Sequence, residues 1–303
     1  MLSYLSYMLS FMINYVFILL IGMLAVYLLT GLAGMFSMGQ AAFMALGGYT
    51  AAMLSKFFNA SILFTAPAAI AIGALFGLLV GLPAVKLRRD YIAIVTMGFG
   101  EAVVAFLNNS ASLTGGALGL SGIPKQTSSV AIVIALVVIV TMIANFKNSR
   151  FGRQCLAIKS DELAAAALGI NVARVKLLIF VLAGGISGFA GALWVHTTTY
   201  IDPSAFSFIQ SSMWIIIVFF GGINSLTGSI FAGIFLGMLP EVLRFSNELR
   251  IAIYCGVVLF IINFRPQGLF GTTELNFATL RKLFNPSKRG RDPKAGKLSS
   301  GGL

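Results

Sequence analysis

Residues 11–30 read FMINYVFILLIGMLAVYLLT, a run of 20 residues without a charged side chain. An α-helix needs about 20 apolar residues to cross the roughly 30 Å hydrocarbon core of a bilayer. Residues 1–10 lack a basic region and no small-residue cleavage motif follows the run, which favours a retained span over a secretory signal. The fold is therefore expected to begin with a membrane-spanning helix.

The composition extends this prediction to the whole chain. Of its 303 residues, 58% are hydrophobic and 10% are charged, whereas a soluble domain carries about 25% charged residues. The formal net charge is +12, but the basic residues cluster between apolar runs and form no basic stripe interleaved with aromatic side chains. This pattern indicates lipid as the main solvent and is not typical of a nucleic-acid-binding protein.

Apolar runs between charges and turn signals predict an all-α integral membrane protein, a polytopic bundle of about nine helices with a range of roughly eight to ten. The predicted spans are 11–30, 38–55, 62–85, 91–107, 127–146, 177–198, 206–222, 226–243 and 250–264. Together they define a membrane domain over residues 1–271. Residues 272–303 combine basic side chains with Pro, Gly and Ser, which predicts a disordered tail.

Three basic clusters predict the orientation of the bundle. They are Lys86 to Arg89, the segment 147–176 and the tail that begins at Arg265. Since basic loops stay on the cytoplasmic side, all three are expected there, with the C-terminus in the cytoplasm and the N-terminus outside. Two predicted spans separate the first cluster from the second and four separate the second from the third, so the assignments agree.

Small residues recur every four positions in several predicted spans. Gly73, Gly77 and Gly81 form one such row, and Gly184 and Gly188 form another. In lipid, such rows let helix backbones approach closely and pack by van der Waals contact. We interpret them as packing faces; the alternative is that some of them mark helix breaks near a transport pathway.

The segment 147–176 is longer than a connection between two spans requires. Ser160 can cap a helix, Asp161 and Glu162 add negative charge to a first turn, and Gly169 can end it. Such a helix is too short to be stable alone. Its alanine-rich surface favours docking on a partner protein over the alternative, an interfacial helix, which needs larger apolar anchors. The residues assigned to it are Ser160, Asp161, Glu162, Leu163, Ala164, Ala165, Ala166, Ala167, Leu168 and Gly169.

Glu101 lies deep in a predicted span. Counted from Tyr91 at about 1.5 Å per residue, it is roughly 15 Å into the membrane, where a charge facing lipid costs several kcal/mol. We expect it to face the bundle interior or a water-filled cavity, where it lines a pathway or holds a gate; the alternatives are pairing with a buried donor or protonation. Further candidates for lining the pathway lie at predicted helix interruptions: Ser37, Gln40, Asn108, Asn109 and Thr114. The alternative is that these polar side chains form hydrogen bonds with one another.

The sequence offers little for catalysis or metal binding. Cys155 and Cys255 stand far apart without a CxxC motif, and His196 stands at the outer end of a predicted span, as an aromatic-belt residue would. The phosphate-binding motif G-x-x-x-x-G-K-[ST] is absent, because the one Gly-Lys pair, at 296–297, precedes leucine. We therefore expect no enzyme activity, no cofactor and no nucleotide site on this chain.

Several motifs resemble one family of transport proteins. They are GLAGMFSMGQAAFMALGGYTAAML at 31–54, RRDYIAIVTMGFGEAV at 88–103, TGGALGLSGIP at 114–124, QCLAIKSDELAAAALGINVARVKLLIF at 154–180, FFGGINSLTGSIFAG at 219–233 and FRPQGLFG at 264–271. In this order they are similar to the permease family of ATP-binding cassette (ABC) importers for branched-chain amino acids. The first and last resemble the LivM branch of that family rather than its LivH sister.

This resemblance implies a permease subunit that forms the translocation pathway for branched-chain or related amino acids in a bacterial plasma membrane. It implies two cytoplasmic ATPase subunits that carry ATP and Mg²⁺, an extracytoplasmic solute-binding protein, and a second permease that is a LivH-type sister rather than an identical copy. Residues 160–169 match the family's coupling helix, which contacts the ATPase.

Two alternatives stay open. One is an ABC permease for urea or short amides, and the other is an ion-coupled secondary transporter. The latter class predicts several ionisable residues within the spans, and here Glu101 is nearly alone. A channel predicts a polar or charged ring and no long cytoplasmic segment.

Overall fold

The computed structural model describes residues 2–242 together with Gly256, Leu259 and Gly268, and within 2–242 it describes side chains over 8–89 and 91–239. Eleven α-helices form this part of the chain: α1 Leu2–Tyr27, α2 Gln40–Phe58, α3 Ile62–Ala84, α4 Arg89–Asn109, α5 Ala111–Thr114, α6 Ser129–Asn148, α7 Arg150–Ser160, α8 Glu162–Ala167, α9 Val172–Thr198, α10 Phe208–Gly221 and α11 Leu226–Val242. A π-helical turn, Leu28–Leu32, extends α1. Strands β1 (Leu120–Ser121) and β2 (Tyr200–Ile201) pair antiparallel.

Each of the eight predicted spans between residues 11 and 243 contains a helix. By length and composition, five described helices can cross a membrane: Met8–Leu32, Ile62–Ala84, Tyr91–Asn109, Ser129–Asn148 and Val172–Thr198. The ninth predicted span, 250–264, lies outside the described residues apart from Gly256 and Leu259, and the predicted tail 272–303 lies wholly outside them. The chain is an all-α, multi-pass membrane protein, and the count of nine spans is not confirmed.

Three predicted spans fall short of these criteria for physical reasons. Helix α10 has 14 residues, which at about 1.5 Å per residue is roughly 21 Å, less than the hydrocarbon core. Helix α11 is also counted among the shorter apolar helices, over Leu226–Leu239. Helix α2 has 19 residues but is rich in Gly, Ala and polar side chains, because most of its surface packs against protein rather than lipid.

The core of the bundle is a glycine-mediated contact of α2, α3 and α9. A methyl group on Gly73 would overlap the carbonyl oxygen of Gly184, and one on Gly47 would overlap the backbone of Gly188. Gly77 likewise lies against the Phe180 carbonyl. The prediction that these glycine rows are packing faces is confirmed. Their backbones approach more closely than any side chain would allow, which is how helices gain contact in lipid.

The chain between α1 and α2 is irregular inside the protein. Residues 34–39 form no helix, yet four of these six residues are buried and none is exposed. Side chains from distant helices accept backbone N–H groups in and beside this segment: Thr96 of α4 accepts the Met38 N–H at 3.0 Å, and Ser211 of α10 accepts the N–H of Ala41, in the first turn of α2, at 2.9 Å. Irregular backbone at membrane depth is tolerated only where such partners or water replace the helical hydrogen bonds.

Two ends of the bundle differ in charge and structure. At one end, called here the basic end, the start of α4, the end of α6 and helices α7 and α8 come together, and Arg89 donates to the Lys159 carbonyl at 2.8 Å. The first two predicted basic clusters thus lie at the same end. At the opposite end, β1 and β2 join the α5–α6 connection to the end of α9.

We predict that Gly73→Ala destabilises the chain, because the added methyl group would push α3 away from α9. Overpacking of this kind costs about 1–3 kcal/mol. Thermal unfolding in detergent measures the effect. Gly98→Ala is the matched control, since nothing lies within 4 Å of the added methyl group; equal midpoints for both variants would contradict the packing role.

Candidate functional site

Helix α8 begins and ends much as the sequence predicts, with one correction. Asp161 caps it: one carboxylate oxygen accepts the N–H groups of Leu163 at 2.8 Å and Ala164 at 3.0 Å. Ser160 does not cap α8, because it is the last residue of α7 and its hydroxyl donates to the Leu156 carbonyl. Gly169 follows the helix with φ at +82°, a conformation that favours glycine.

The outer surface of α8 is apolar and uncovered. Leu163, in the first turn of α8, is 83% exposed, and Leu168, the residue that directly follows the helix, is 81% exposed. Ala164, Ala166 and Ala167 are exposed as well, whereas Ala165 is buried against the bundle. These two leucines, one in the six-residue helix and one directly after it, form a small apolar tip with the exposed alanines, which we call the α8 tip.

An ion pair fixes the base of α8 to α9. The Nζ atom of Lys176 lies 2.6 Å from the Glu162 carboxylate; the side-chain exposure of Lys176 is 1% and that of Glu162 is 37%. Lys176 was expected in a cytoplasmic connection, but α9 already begins at Val172. The buried ammonium group therefore depends on α8 for its charge partner.

Helix α7 was not predicted from the sequence, which placed no helix between Lys147, in the second basic cluster, and Ser160. Ser149 caps it by accepting the Gly152 N–H at 3.2 Å. Its inner face consists of Gly152, Cys155 and Ile158, all buried. Their spacing of three residues is the amphipathic signal that could have predicted this helix.

Basic side chains tie α7 to several elements at the basic end. Lys159 donates to the Gly31 carbonyl of the π-helical turn at 2.6 Å and to the Asn224 side-chain oxygen of the α10–α11 turn at 2.6 Å. Lys147 donates to the Asn224 carbonyl at 2.9 Å. The Arg89 guanidinium donates to two carbonyl groups in the last turn of α7, those of Ile158 and Lys159. We call these four residues the basic clasp: Arg89, Lys147, Lys159 and Asn224.

Burial and like charges alter the titration of groups on α7. Burial, with repulsion from Lys147 and Arg89, lowers the pKa of Lys159 to about 8. Burial raises the pKa of the Cys155 thiol to about 12, so it stays protonated and unreactive at neutral pH. Lys159 is thus a basic-end group that can change its charge near physiological pH.

Glu101 is exposed on the surface of this chain rather than enclosed by its bundle. Its carboxylate accepts the Phe208 N–H, the first of α10, at 3.1 Å. Glu101 is twelve residues along α4 from the basic end, or about 18 Å, so α10 begins at the same depth. An uncovered carboxylate at this depth requires water or a second protein beside it.

The other predicted pathway residues fall into two separate groups. Ser37 and Gln40 are fully buried between α2 and α9, where Gln40 donates to Ser37 at 3.4 Å and accepts from Ser187 at 2.9 Å. Thr114 is buried after α4 and donates to the Leu107 carbonyl at 2.6 Å. Asn108 and Asn109 are exposed near it. These residues do not converge on one site with Glu101, and their pathway role stays a prediction.

His196 corrects another expectation. It does not lie in an aromatic belt, because it is fully buried. Its Nδ1 atom lies 3.2 Å from the Pro124 carbonyl and its Nε2 atom lies 2.9 Å from the Thr65 hydroxyl. A carbonyl only accepts, so Nδ1 carries the proton. The histidine thereby joins α3 and α9 to the loop that precedes α6.

These features together define a class of protein: a helical membrane protein with an internal unwound segment and a protruding apolar helix at its basic end. Among the described residues, no cluster of His, Cys, Asp and Glu could hold a metal ion. The class is that of polytopic helical membrane proteins.

The chain belongs to the family described as "Branched-chain amino acid transport system / permease component", which matches residues 8–262. It is 32% identical to the high-affinity branched-chain amino acid transport system permease protein LivM of Salmonella typhimurium and to that of Escherichia coli, over 80% of this chain. The chain spans 65% of the length of each of these LivM proteins. It is 25% identical to the corresponding LivH protein of Salmonella typhimurium, over 62% of this chain and 61% of LivH. No solved structure matches the chain significantly.

We predict that Glu162→Gln destabilises the chain, because it leaves the buried Lys176 ammonium without a counter-charge. Breaking a fully buried pair costs about 3–5 kcal/mol; the partial exposure of Glu162 reduces this to about 2 kcal/mol. The double variant Glu162→Gln/Lys176→Met removes the orphaned charge and should recover most of the loss in thermal unfolding. A double variant less stable than the single one would contradict this account.

We predict that the Lys159 amine titrates near pH 8 in the folded chain and near pH 10.5 in the unfolded chain. Its contribution to the free energy of unfolding therefore rises between these values, because the unfolded chain holds the proton longer. Acylation of the Lys159 peptide, followed by mass spectrometry against pH, measures the midpoint. The urea-denatured chain is the control, and identical midpoints in both states would refute the prediction.

Proposed function

We propose that the chain is the transmembrane permease subunit of an ATP-binding cassette importer for branched-chain or related amino acids. Membership of the permease family supports the transport role, and the names of its LivM and LivH relatives support the solute class. In this proposal ATP and Mg²⁺ are bound by a separate subunit, consistent with the lack of a phosphate-binding loop motif in this sequence. The membrane is a bacterial plasma membrane, with the basic end and the C-terminus in the cytoplasm.

The α8 tip is the observation that carries this proposal. Exposed leucines on a short helix that is fixed to the bundle are suited to insertion into a groove of another protein. Burial of each leucine contributes about 1.5–3 kcal/mol to the free energy of binding. A lipid-surface helix is the weaker interpretation, because six residues expose too little apolar area for anchoring. We therefore assign the α8 tip as the contact for a cytoplasmic ATPase subunit, with two such subunits in the importer.

The basic clasp supplies the connection from this contact to the membrane domain. A displacement of α8 and α7 by the ATPase is passed through Lys159 to the π-helical turn of α1 and to the α10–α11 turn. Arg89 passes it to the start of α4, the helix that carries Glu101. Rigid helices linked by hydrogen bonds are a physical route for such coupling.

A second permease completes the pathway in this proposal. The similarity of the chain to both LivM and LivH supports a pair of related permeases, in which the partner is a LivH-type sister rather than an identical copy. The exposed face of α4 around Glu101 is the surface that we assign to the pathway between them. An extracytoplasmic binding protein delivers the solute to the opposite end.

We predict that Leu163→Asp prevents assembly with the ATPase, because the contact would have to desolvate a carboxylate without a partner. Co-purification of the ATPase with the permease should fall at least tenfold, a loss of about 1.4 kcal/mol or more. The control is Leu118→Asp at the opposite end, where Leu118 is 85% exposed. Ala166→Glu tests the same surface independently. Normal co-purification in both α8 variants would overturn the proposal.

We predict that solute uptake depends on the charge of Glu101 as well as on its hydrogen bond to Phe208. Glu101→Gln keeps an acceptor for the Phe208 N–H but removes the charge, whereas Glu101→Ala removes both. Uptake into proteoliposomes that contain the assembled importer should fall at least tenfold for both variants. If Gln retains full uptake and only Ala loses it, Glu101 serves to position α10 rather than to line the pathway.

A further inference from the structure

The exposed face of helix α4 differs in kind from that of helix α3. Helix α3 exposes large apolar side chains, those of Leu75 and Leu79 among them, which suit contact with acyl chains. Near its middle, α4 exposes Gly98, Glu101 and Ala105 instead. A carboxylate set between small residues would leave its charge in contact with lipid, which is unfavourable at this depth. This face of α4 therefore borders water or protein.

Glu101 is held in position but lacks a counter-charge. Its Oε1 atom accepts the Phe208 N–H at 3.1 Å, and its Oε2 atom has no hydrogen-bond partner within the described part of the chain. Glu101 forms no ion pair with any described residue. The start of α10 carries about half a positive charge, which offsets only part of the full negative charge of the carboxylate. A cation beside Glu101 would complete the balance.

The surface next to Glu101 has room for a small molecule. With about 3.6 residues per turn, Ile94, Gly98 and Glu101 lie on the same face of α4. Gly98 is about 4.5 Å and Ile94 about 10.5 Å from Glu101 along the helix axis. Nothing lies within 4 Å of a methyl group placed on Gly98, and Ile94 is 67% exposed. A carboxylate, an open space and an apolar side chain thus follow one another toward the basic end.

We propose that Glu101 binds the α-ammonium group of an aliphatic amino acid, whose side chain lies over Gly98 and against Ile94. The ammonium group supplies the missing positive charge, and the attraction between the two groups is strong where protein excludes part of the water. This inference rests on the proposed function, because it takes the solute class from there. It adds the residue that recognises one end of the solute.

A basic side chain of the second permease is the competing source of the cation. Such a side chain would account for the carboxylate alone. It would require neither the open space at Gly98 nor an exposed Ile94, whereas an aliphatic amino acid uses all three features. The small solute is therefore the occupant that fits this face best.

The first measurement asks whether Glu101 attracts cations in the assembled importer. Gly98→Cys places a thiol beside the carboxylate, and its reaction with a cationic and an anionic methanethiosulfonate is followed by mass spectrometry. A negative charge nearby accelerates the first reagent and retards the second. The ratio of the two rates should therefore be at least fivefold higher than in Gly98→Cys/Glu101→Gln. Equal ratios, or no reaction at all, would overturn the proposal.

Two controls accompany this measurement. The parent chain gives the background from its two native cysteines. Leu75→Cys, on the apolar face of α3, should react slowly with both charged reagents, because it faces detergent or lipid rather than water.

The second measurement asks whether the cation is the solute. Binding protein loaded with leucine should slow the reaction of the cationic reagent with Gly98→Cys at least fivefold relative to empty binding protein. Glu101→Gln in the same chain should remove most of this protection. Ile94→Cys is a second probe at the other end of the open space, so that a defect caused by one cysteine does not decide the result.

The outcomes separate this inference from the proposed function. A parent importer that takes up no amino acid refutes the proposed function. Leucine uptake by the parent importer without protection at either cysteine refutes the ammonium site alone. If Glu101→Gln instead lowers co-purification of the second permease at least tenfold, the carboxylate pairs with a basic side chain of that partner, and the ammonium site is likewise refuted.

Discussion

Backbone contact between α2, α3 and α9 is the constraint on which the rest of the molecule depends. Because lipid provides no hydrophobic driving force between helices, the glycine rows on these three helices supply the close contact that holds them together. Helix α9 then serves as a common support. Its first turns hold α8 through Lys176, its middle binds Gln40 through Ser187, and its last turns hold the loop before α6 through His196.

The parts that the sequence predicted correctly are those governed by local rules. Apolar length located eight helices, spacing identified the Gly73 and Gly184 rows, and Gly169 located the end of α8. The assignment of the cap to Ser160 was wrong because α7 continues through that residue, which leaves Asp161 as the first residue able to adopt the extended cap conformation. The missed helix α7 carried an amphipathic signal, but its short length and charged surface resembled a loop.

The parts that could not be predicted depend on contacts between distant segments. Nothing in the sequence places Lys159 beside Gly31 and Asn224, which are 128 and 65 residues away along the chain. The same applies to Glu101, whose position on an exposed face follows from how α4 packs rather than from its depth. His196 was interpreted from its neighbours in sequence, whereas its environment is set by α3 and by the loop at Pro124.

The short length of α10 has a consequence for how the chain is inserted. At about 21 Å this helix leaves roughly 9 Å of the hydrocarbon core to the connection before it. That connection includes Asp202 and the single turn Pro203–Phe206, whose polar groups are poorly suited to contact with acyl chains. A newly inserted copy therefore carries an energetic penalty until protein or water covers this region.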